Sequence, residues 1–163
     1  MITLLLRKFA LYRYFVKLLF TTIVRKKAGK VGENLRVNYY STVTKNTVLG
    51  NNVNFNGFRV LGGGKVIIGN NFHSGSGCIV MTTIHNYDYG NKIPYDETVI
   101  HKNVTIEDNV WLGINVTILP GVTIEEGAII QAGSVVTSNI PACAIAGGHP
   151  AKVFKYRNKD HYY

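Results

Sequence analysis

The sequence predicts an all-β fold, a left-handed parallel β-helix with an N-terminal amphipathic helix, and three observations carry the prediction. Aliphatic residues recur at every sixth position from residue 100 onward. A small or β-branched residue stands four positions after each of the first six, and Asn or Gly precedes that residue. A period of six fits neither a long helix nor a long strand. It fits short strands joined by tight corners, three of which make a triangular coil of roughly 18 residues.

The repeat is regular in the second half of the chain. The aliphatic positions expected to point inward are Ile100, Ile106, Leu112, Ile118, Ile124, Ile130 and Val136. The small or β-branched positions are Val104, Val110, Val116, Val122, Ala128 and Ser134. The preceding residues are Asn103, Asn109, Asn115, Gly121, Gly127 and Gly133, with Asn139 continuing the series. Asn and Gly tolerate the left-handed backbone conformation that a corner requires.

A looser copy of the repeat occupies the first half. Its expected inward positions are Val31, Val37, Val43, Leu49, Phe55 and Leu61, then Ile68, Ser74 and Val80 after a one-residue shift at residues 62–64. Residues 86–99 break the period, so we expect them to leave the coil as a loop. The predicted organisation is a helical arm (1–30), a β-helix domain (31–147) and a C-terminal tail (148–163).

The positive charge of the chain is concentrated in the arm. The formal net charge is +9, yet residues 1–30 hold eight basic residues and no acid, whereas residues 31–163 hold ten basic and nine acidic residues. This distribution argues against a nucleic-acid surface over the whole body, and no reading motif accompanies the arm. Cys78 and Cys143 form no disulfide framework or zinc motif, so we expect two free thiols and no metal.

The arm itself shows helical spacing. Its apolar stripe comprises Leu5, Phe9, Tyr12, Val16, Leu19 and Ile23. Two interpretations stay open: the helix caps the β-helix or packs on a neighbouring subunit, or residues 1–27 lie on an anionic membrane surface. The apolar runs are too short for the ~20 residues of a membrane span, and no signal-peptide pattern is found. We therefore expect a cytoplasmic protein, peripheral on the inner face of the membrane under the second interpretation.

Several longer motifs point to a family. They are TTIH (82–85), NVWLG (109–113), ILPGVTI (118–124), AGSVVT (132–137) and GGHPAKV (147–153). Together they resemble the hexapeptide-repeat acetyltransferases, in particular the maltose, galactoside, nodulation-factor and capsular or colanic-acid sugar O-acetyltransferases. The resemblance implies acetyl-CoA as co-substrate, direct transfer within a ternary complex, and a homotrimer with active sites between subunits.

Acetyl transfer to a hydroxyl needs a base, an oxyanion donor and a groove that aligns the reactants. His85 closes the last hexad before the loop, and from its position alone it is either a base or a loop anchor. The resemblance implies that His85 is the general base. His73 and His101 lie at corner-like positions, and we expect structural roles for both. His149 stands where the family usually has Asn.

The remaining site residues are implied by the resemblance alone. The backbone N–H of Ile114 would be the oxyanion donor. Ala132, Thr137 and Ser138 match the coenzyme A path, although the family often has Lys where this chain has Ser138. Lys152 and Lys155 match positions near the phosphates; without the resemblance they would be solvated tail charges. Asn56 matches an acceptor-binding Asn. Trp111 is expected to pack or to line the groove.

The predicted function is therefore an acetyl-CoA-dependent O-acetyltransferase that acts on a sugar or glycan precursor, for instance of capsule or another surface polysaccharide. One alternative is a xenobiotic, serine or amino-sugar acceptor. Another is a carbonic-anhydrase-like metalloenzyme, which the wide spacing of His73, His85 and His101 fits poorly. The last alternative is a non-catalytic β-helix scaffold.

Overall fold

The structure of the chain, a computed structural model, describes residues 2–162 and the side chains of residues 11–158 and 160–162. It begins with the helix α1 (Ile2–Lys27) and ends with the short helix α2 (Lys159–Tyr162). Between them the chain winds into a three-sided parallel solenoid whose strands are only two to six residues long. The predicted left-handed β-helix is confirmed.

The strands stack into three faces and one hairpin. Face A contains β1 (Lys30–Val31), β3 (Thr47–Leu49), β6 (Val66–Ile68), β11 (Val104–Ile106) and β14 (Thr123–Ile124). Face B contains β2 (Arg36–Tyr39), β4 (Asn54–Asn56), β7 (His73–Ser76), β12 (Trp111–Leu112), β15 (Ile129–Ile130), β17 (Ala144–Gly148) and β18 (Ala151–Tyr156). Face C contains β5 (Arg59–Leu61), β8 (Ile79–Met81), β13 (Thr117–Ile118) and β16 (Val135–Val136). The hairpin consists of β9 (Thr83–His85) and β10 (Val99–His101).

The strand register agrees with the coil length expected from three six-residue repeats. Leu112 pairs with Ile130 and Ile118 with Val136, so one coil takes 18 residues in the second half. In the first half Val60 pairs with Val80, a coil of 20 residues. The longer coil contains the irregular spacing around residues 62–64, and β7 beside it has a register shift near Ser76.

The apolar column inside the solenoid contains nearly all of the predicted inward positions. Ile106, Leu112, Ile118, Ile124, Ile130 and Val136 are each 0% exposed. Two positions were wrong. Leu61 is 44% exposed and Val60 (3%) points inward in its place, because the coil phase shifts before the glycines. Ile100 is 38% exposed because it pairs with Ile84 in the hairpin, and the coil resumes only at Val104.

Asparagine and glycine make the corners, as predicted. Asn109, Asn115, Gly121, Gly127 and Gly133 all have positive φ. Asn103 and Asn139 act through their side chains instead, since their Oδ1 atoms accept the N–H groups of Lys65 (2.9 Å) and Thr123 (2.8 Å).

Helix α1 covers the open end of the first coil with its C-terminal half. Val24 is fully buried, Phe20 packs at the edge of the core, and the Thr21 hydroxyl accepts the Val37 N–H at 3.2 Å. The stripe predicted from the sequence coincides with the buried face only in part. Val16 and Ile23 are half-buried. Tyr12 and Leu19 are 64% and 56% exposed. The side chains of Leu5 and Phe9 lie outside the described residues. Within residues 2–162, no helix is both long enough and apolar enough to cross a bilayer.

The C-terminal tail adds a strand to the solenoid. β18 pairs with β17 in antiparallel fashion and extends face B beyond the last coil. Arg157 then turns toward the Gly127 carbonyl, and the Tyr162 hydroxyl donates to Glu126 at 3.1 Å. The tail is thus held against the corner between faces A and B.

Candidate active site

His85 stands at the mouth of the loop that leaves the solenoid. It ends β9, its Cα pairs with that of Val99, and residues 86–98 form the loop between the two hairpin strands. The His85 side chain is exposed, and the Tyr95 ring lies flat against it, with centroids 3.7 Å apart and planes inclined by 16°. The expected loop therefore exists, and it returns an aromatic ring to the histidine that precedes it.

A single carboxylate organises this loop. Asp96 accepts hydrogen bonds from the Thr98 hydroxyl (2.5 Å), the Thr98 N–H (2.8 Å) and the Asn91 N–H (2.8 Å). These donors stabilise the charged form, and the Thr98 hydroxyl contributes most to holding the pKa of Asp96 below its ordinary value. Asp96 follows Tyr95 directly, so the same turn sets the position of the ring against His85.

The other histidines have different surroundings. His101 bonds the Thr83 hydroxyl through Nδ1 at 2.7 Å, and that hydroxyl also accepts the Gly63 N–H at 2.9 Å. His149 contacts the Gly133 carbonyl. His73 lines a cavity of about 710 Å³ with Trp111 at the A–B side of face B. The structure therefore gives His101 a structural partner and leaves Trp111 half-exposed on a cavity wall.

The corner between faces B and C carries a backbone amide without an acceptor, and the corner between faces A and B shows how the equivalent amide is normally paired. At the A–B corner, a glycine lies close to the next coil, and the residue after that glycine donates its N–H to a side-chain oxygen of that coil. Glu33 donates to Asn51, Asn51 to Asn70 and Asn70 to Asp108, at 2.7–2.8 Å. Because backbone N–H groups are strong donors, this pattern satisfies groups that the coil ladder leaves over.

Ile114 occupies the corresponding place at the B–C corner, between Gly113 and the left-handed Asn115. A Cβ at Gly113 would lie 2.5 Å from the Ala132 nitrogen, so Ala132 takes the position that Asn or Asp holds at the other corner. Alanine has no side-chain oxygen, and none of the hydrogen bonds within residues 2–162 uses the Ile114 amide as donor. This N–H remains available to a ligand beside the exposed Ala132.

Cys78 lies below the same corner. Its thiol is fully buried and donates to the Gly113 carbonyl at 3.0 Å. Burial raises the pKa of Cys78, so the thiol is a poor nucleophile. Cys143 is also free and buried. Within the part of the chain that the structure describes, no group of three His, Cys, Asp or Glu side chains is arranged to hold a metal.

The other predicted site residues are spread over both edges of face C and over face B. Thr137 and Ser138 are exposed and follow β16. Lys152 pairs with Gly147 near the B–C corner, whereas Lys155 pairs with Ile145 further along face B. Asn56 ends β4, where its Nδ2 donates to the Ser74 carbonyl at 2.6 Å and its Oδ1 accepts Asn38 at 2.9 Å.

One chain does not bring these residues together. Ile114 and Ala132 precede face C, whereas His85, Thr137 and Ser138 follow it. The strand from Ala132 to Thr137 crosses the face, a span of roughly 16 Å at the rise of an extended chain. The histidine and the available amide therefore lie on opposite edges of face C.

Tyr95 is the residue that the sequence analysis missed. The loop sequence NYDYGNKIPYDET contains three tyrosines, and spacing alone does not identify which ring returns to His85. The Asp96–Thr98 pair that follows Tyr95 is the local signal, since Asp and Thr two residues apart form a side-chain turn.

Comparisons with known proteins identify the family of this fold. The family described as bacterial transferase hexapeptide (six repeats) matches residues 103–138. A hexapeptide-repeat acetyltransferase of Vibrio cholerae is 30% identical, with a TM-score of 0.71, over 81% of this chain and 76% of that one. The chain belongs to the hexapeptide-repeat acetyltransferases.

Two further members of the family resemble this acetyltransferase closely. A galactoside acetyltransferase solved with coenzyme A is 30% identical over 83% of this chain and 68% of its own, with a TM-score of 0.68. A maltose O-acetyltransferase of Clostridium difficile is 30% identical over 93% and 88%, with a TM-score of 0.66. No curated protein matches the sequence significantly. The Vibrio protein has also been solved in complex with acetyl-CoA.

Proposed function

We propose that this acetyltransferase transfers the acetyl group to a hydroxyl of a sugar or glycan precursor, such as one for capsule or another surface polysaccharide, with His85 as general base. The observation that carries the proposal is the exposed His85 ring, held by Tyr95 at the mouth of the loop. The galactoside and maltose acceptors named for two relatives support the sugar assignment. On this proposal the protein works in the cytoplasm, where acetyl-CoA is made.

A single base is enough for both proton transfers of the acetyl-transfer reaction. The acceptor oxygen forms a bond to the thioester carbonyl carbon while its proton passes to the His85 imidazole. The resulting oxyanion accepts a hydrogen bond from the Ile114 N–H, the donor left available at the B–C corner. The carbon–sulfur bond then breaks, and the imidazolium returns the proton to the departing thiolate. The buried Cys78 takes no part in this sequence.

The proposed site lies between two copies of the chain. The opposite placement of His85 and Ile114 on face C supports a homotrimer, because a neighbouring copy supplies the missing edge. Thr137 and Ser138 then line the coenzyme path on the His85 side. Ala132 lines it on the amide side, and Lys152 and Lys155 attract the phosphates. Asn56 is the proposed contact to the acceptor.

The test is thiol release from acetyl-CoA with a panel of free sugars, nucleotide sugars and lipid-linked glycans, beside serine, amino sugars and a xenobiotic. We expect a sugar hydroxyl to stimulate release most. We expect His85→Ala to lower kcat/KM roughly 100- to 10,000-fold. His161→Ala, an exposed histidine of α2, is the matched control and leaves the rate unchanged. Preference for a non-sugar acceptor overturns the sugar assignment, and an active His85→Ala variant overturns the base.

A further inference from the structure

Helix α1 carries a second apolar face that the fold does not use. Phe20 and Val24 contact the first coil, whereas Leu11, Phe15 and Leu18 are 57%, 57% and 50% exposed. At 3.6 residues per turn these three side chains form one strip, and the strip is centred opposite the docked face. We call Leu11, Phe15 and Leu18 the outer strip. Leu18 also borders the first coil, in a cavity that it lines with Leu35 and Val37, and nothing else within the described chain covers the strip.

Aromatic and basic side chains surround the outer strip. Tyr14 and Leu19 widen it and are 62% and 56% exposed. Arg25, Lys26 and Lys27 end the helix and are exposed, and α1 contains no acidic residue. An exposed apolar strip bordered by tyrosine and cations is the pattern of a helix that lies in the interface of a bilayer.

We infer that α1 docks on an anionic membrane surface, with the outer strip inserted among the lipid chains and the basic residues among the headgroups. The charge distribution favours a bilayer over a second copy of this chain. Residues 1–30 hold eight basic residues and no acid, so two arms repel each other. The remaining residues hold ten basic and nine acidic residues, which offers the arm no strongly negative partner surface. An anionic leaflet supplies both the charge and the apolar depth.

The geometry also explains why the docked face and the outer strip coexist. The solenoid buries one side of α1 through Val24, and the Thr21 hydroxyl fixes its rotation by accepting the Val37 N–H. The outer strip therefore has a set direction, away from the β-helix. Membrane docking in this orientation leaves the first coil, which packs on the opposite face of α1, on the side away from the bilayer core.

The test is sedimentation of the full chain with lipid vesicles. One set contains phosphatidylcholine with about a third phosphatidylglycerol, and the other contains phosphatidylcholine alone. The strip variant replaces Leu11, Phe15 and Leu18 by Ser, and the charge variant replaces Arg25, Lys26 and Lys27 by Gln. Ile67→Ser with Phe154→Ser is the matched control, because both side chains are exposed apolar groups far from α1 in sequence.

We expect the wild-type chain and the control to bind anionic vesicles. We expect the strip and charge variants to bind at least about tenfold more weakly, and high salt to reduce wild-type binding. Circular dichroism and sedimentation velocity check the fold and the mass of each variant. Equal vesicle binding by wild type and strip variant overturns the inference. So does an absence of wild-type binding combined with a lower mass of the strip variant, since a second copy would then cover the strip.

Discussion

The Tyr95 ring lies parallel to the His85 imidazole at a centroid distance of 3.7 Å. The two residues come from opposite ends of the ejected loop, so the stacked pair closes the loop where it leaves the solenoid. A side chain at the exposed end of a short hairpin strand has several rotamers open to it. The stack restricts His85 to those in which the ring faces Tyr95, which makes Tyr95 a positioning residue for the proposed base.

Replacing Tyr95 tests this positioning role. We expect Tyr95→Ala to lower kcat about three- to tenfold, the range of an aromatic stacking contribution, with a smaller change in KM. Tyr95→Phe keeps the ring and leaves kcat within about twofold. Steady-state kinetics measure kcat and KM of both variants. An unchanged kcat for Tyr95→Ala would show that the stack has no catalytic role.

Asp96 gives the loop a dependence on pH. The hydrogen bonds from Thr98 and Asn91 hold the pKa of Asp96 below its ordinary value, and therefore below its value in the unfolded chain. Stabilisation by this carboxylate is thus fully present above the unfolded pKa and is lost as pH falls through the lowered folded pKa. Limited proteolysis should find residues 86–98 protected near neutral pH and more readily cut in acid below about pH 4.

A substitution separates this effect from general acid unfolding. Asp96→Asn should be cut faster than wild type at neutral pH, because Asn has one uncharged acceptor oxygen and loses either the bond from Asn91 or the bonds from Thr98. Asp88→Asn, a change in the same loop, is the control and should be cut at the wild-type rate. Equal protection of Asp96→Asn and Asp88→Asn would contradict the proposed role of the carboxylate.

The apolar column can be tested with two adjacent isoleucines of β6. Ile68 is 1% exposed and Ile67 is 38% exposed, so the two side chains point to opposite sides of one strand. Ile68→Ala should lower the free energy of unfolding by about 2–5 kcal/mol, the cost of a core cavity. Ile67→Ala should cost less than about 1 kcal/mol. Urea denaturation measures both, and equal losses would contradict the inward and outward assignment.

Asparagine at the A–B corner combines a backbone and a side-chain role. Asn71 has a φ of 54°, accepts a bond from Asn52 at 2.9 Å and donates to Asn109 at 2.9 Å. Asn71→Ala should cost about 2 kcal/mol, since it loses the bonds and strains the left-handed backbone. Asn71→Gly relieves the strain and should cost about 1 kcal/mol. If denaturation shows Gly to be worse than Ala, the backbone argument is wrong.

The sequence predicts the solenoid well because the same pattern of inward aliphatic and corner residues recurs in each six-residue repeat. Ile106, Leu112 and Ile118 reinforce one phase, and Asn109 with Asn115 mark the corners between them. The early coils are predicted less accurately because their repeat is irregular. The spacing changes near Leu61, and the alternation of residues alone does not determine which of two neighbouring aliphatic side chains points inward. The stripe predicted for helix α1 matches its docked face only in part, because apolar residues occur around most of the circumference of the helix.

The candidate site was only partly predictable. The prediction of His85 as general base depends on its place before the loop and on the family motifs, and it stays a prediction. The role of Tyr95 depends on how the loop returns. The Asp96–Thr98 pair marks a turn beside Tyr95, but it does not identify His85 as the residue that the ring meets. The separation of His85 from Ile114 also needed the structure, because it follows from which strands share face C.

The central claim is that the active site joins His85 of one copy to the B–C corner of another. The most direct test mixes two inactive chains, His85→Ala and Ala132→Trp, whose indole would fill the space beside the Ile114 amide. Sites that pair an intact His85 with an intact corner should form, and random trimers should recover about a quarter of wild-type activity. If mass measurement shows that trimers containing both variant chains have formed, and the mixture is still as inactive as each variant alone, the account is contradicted.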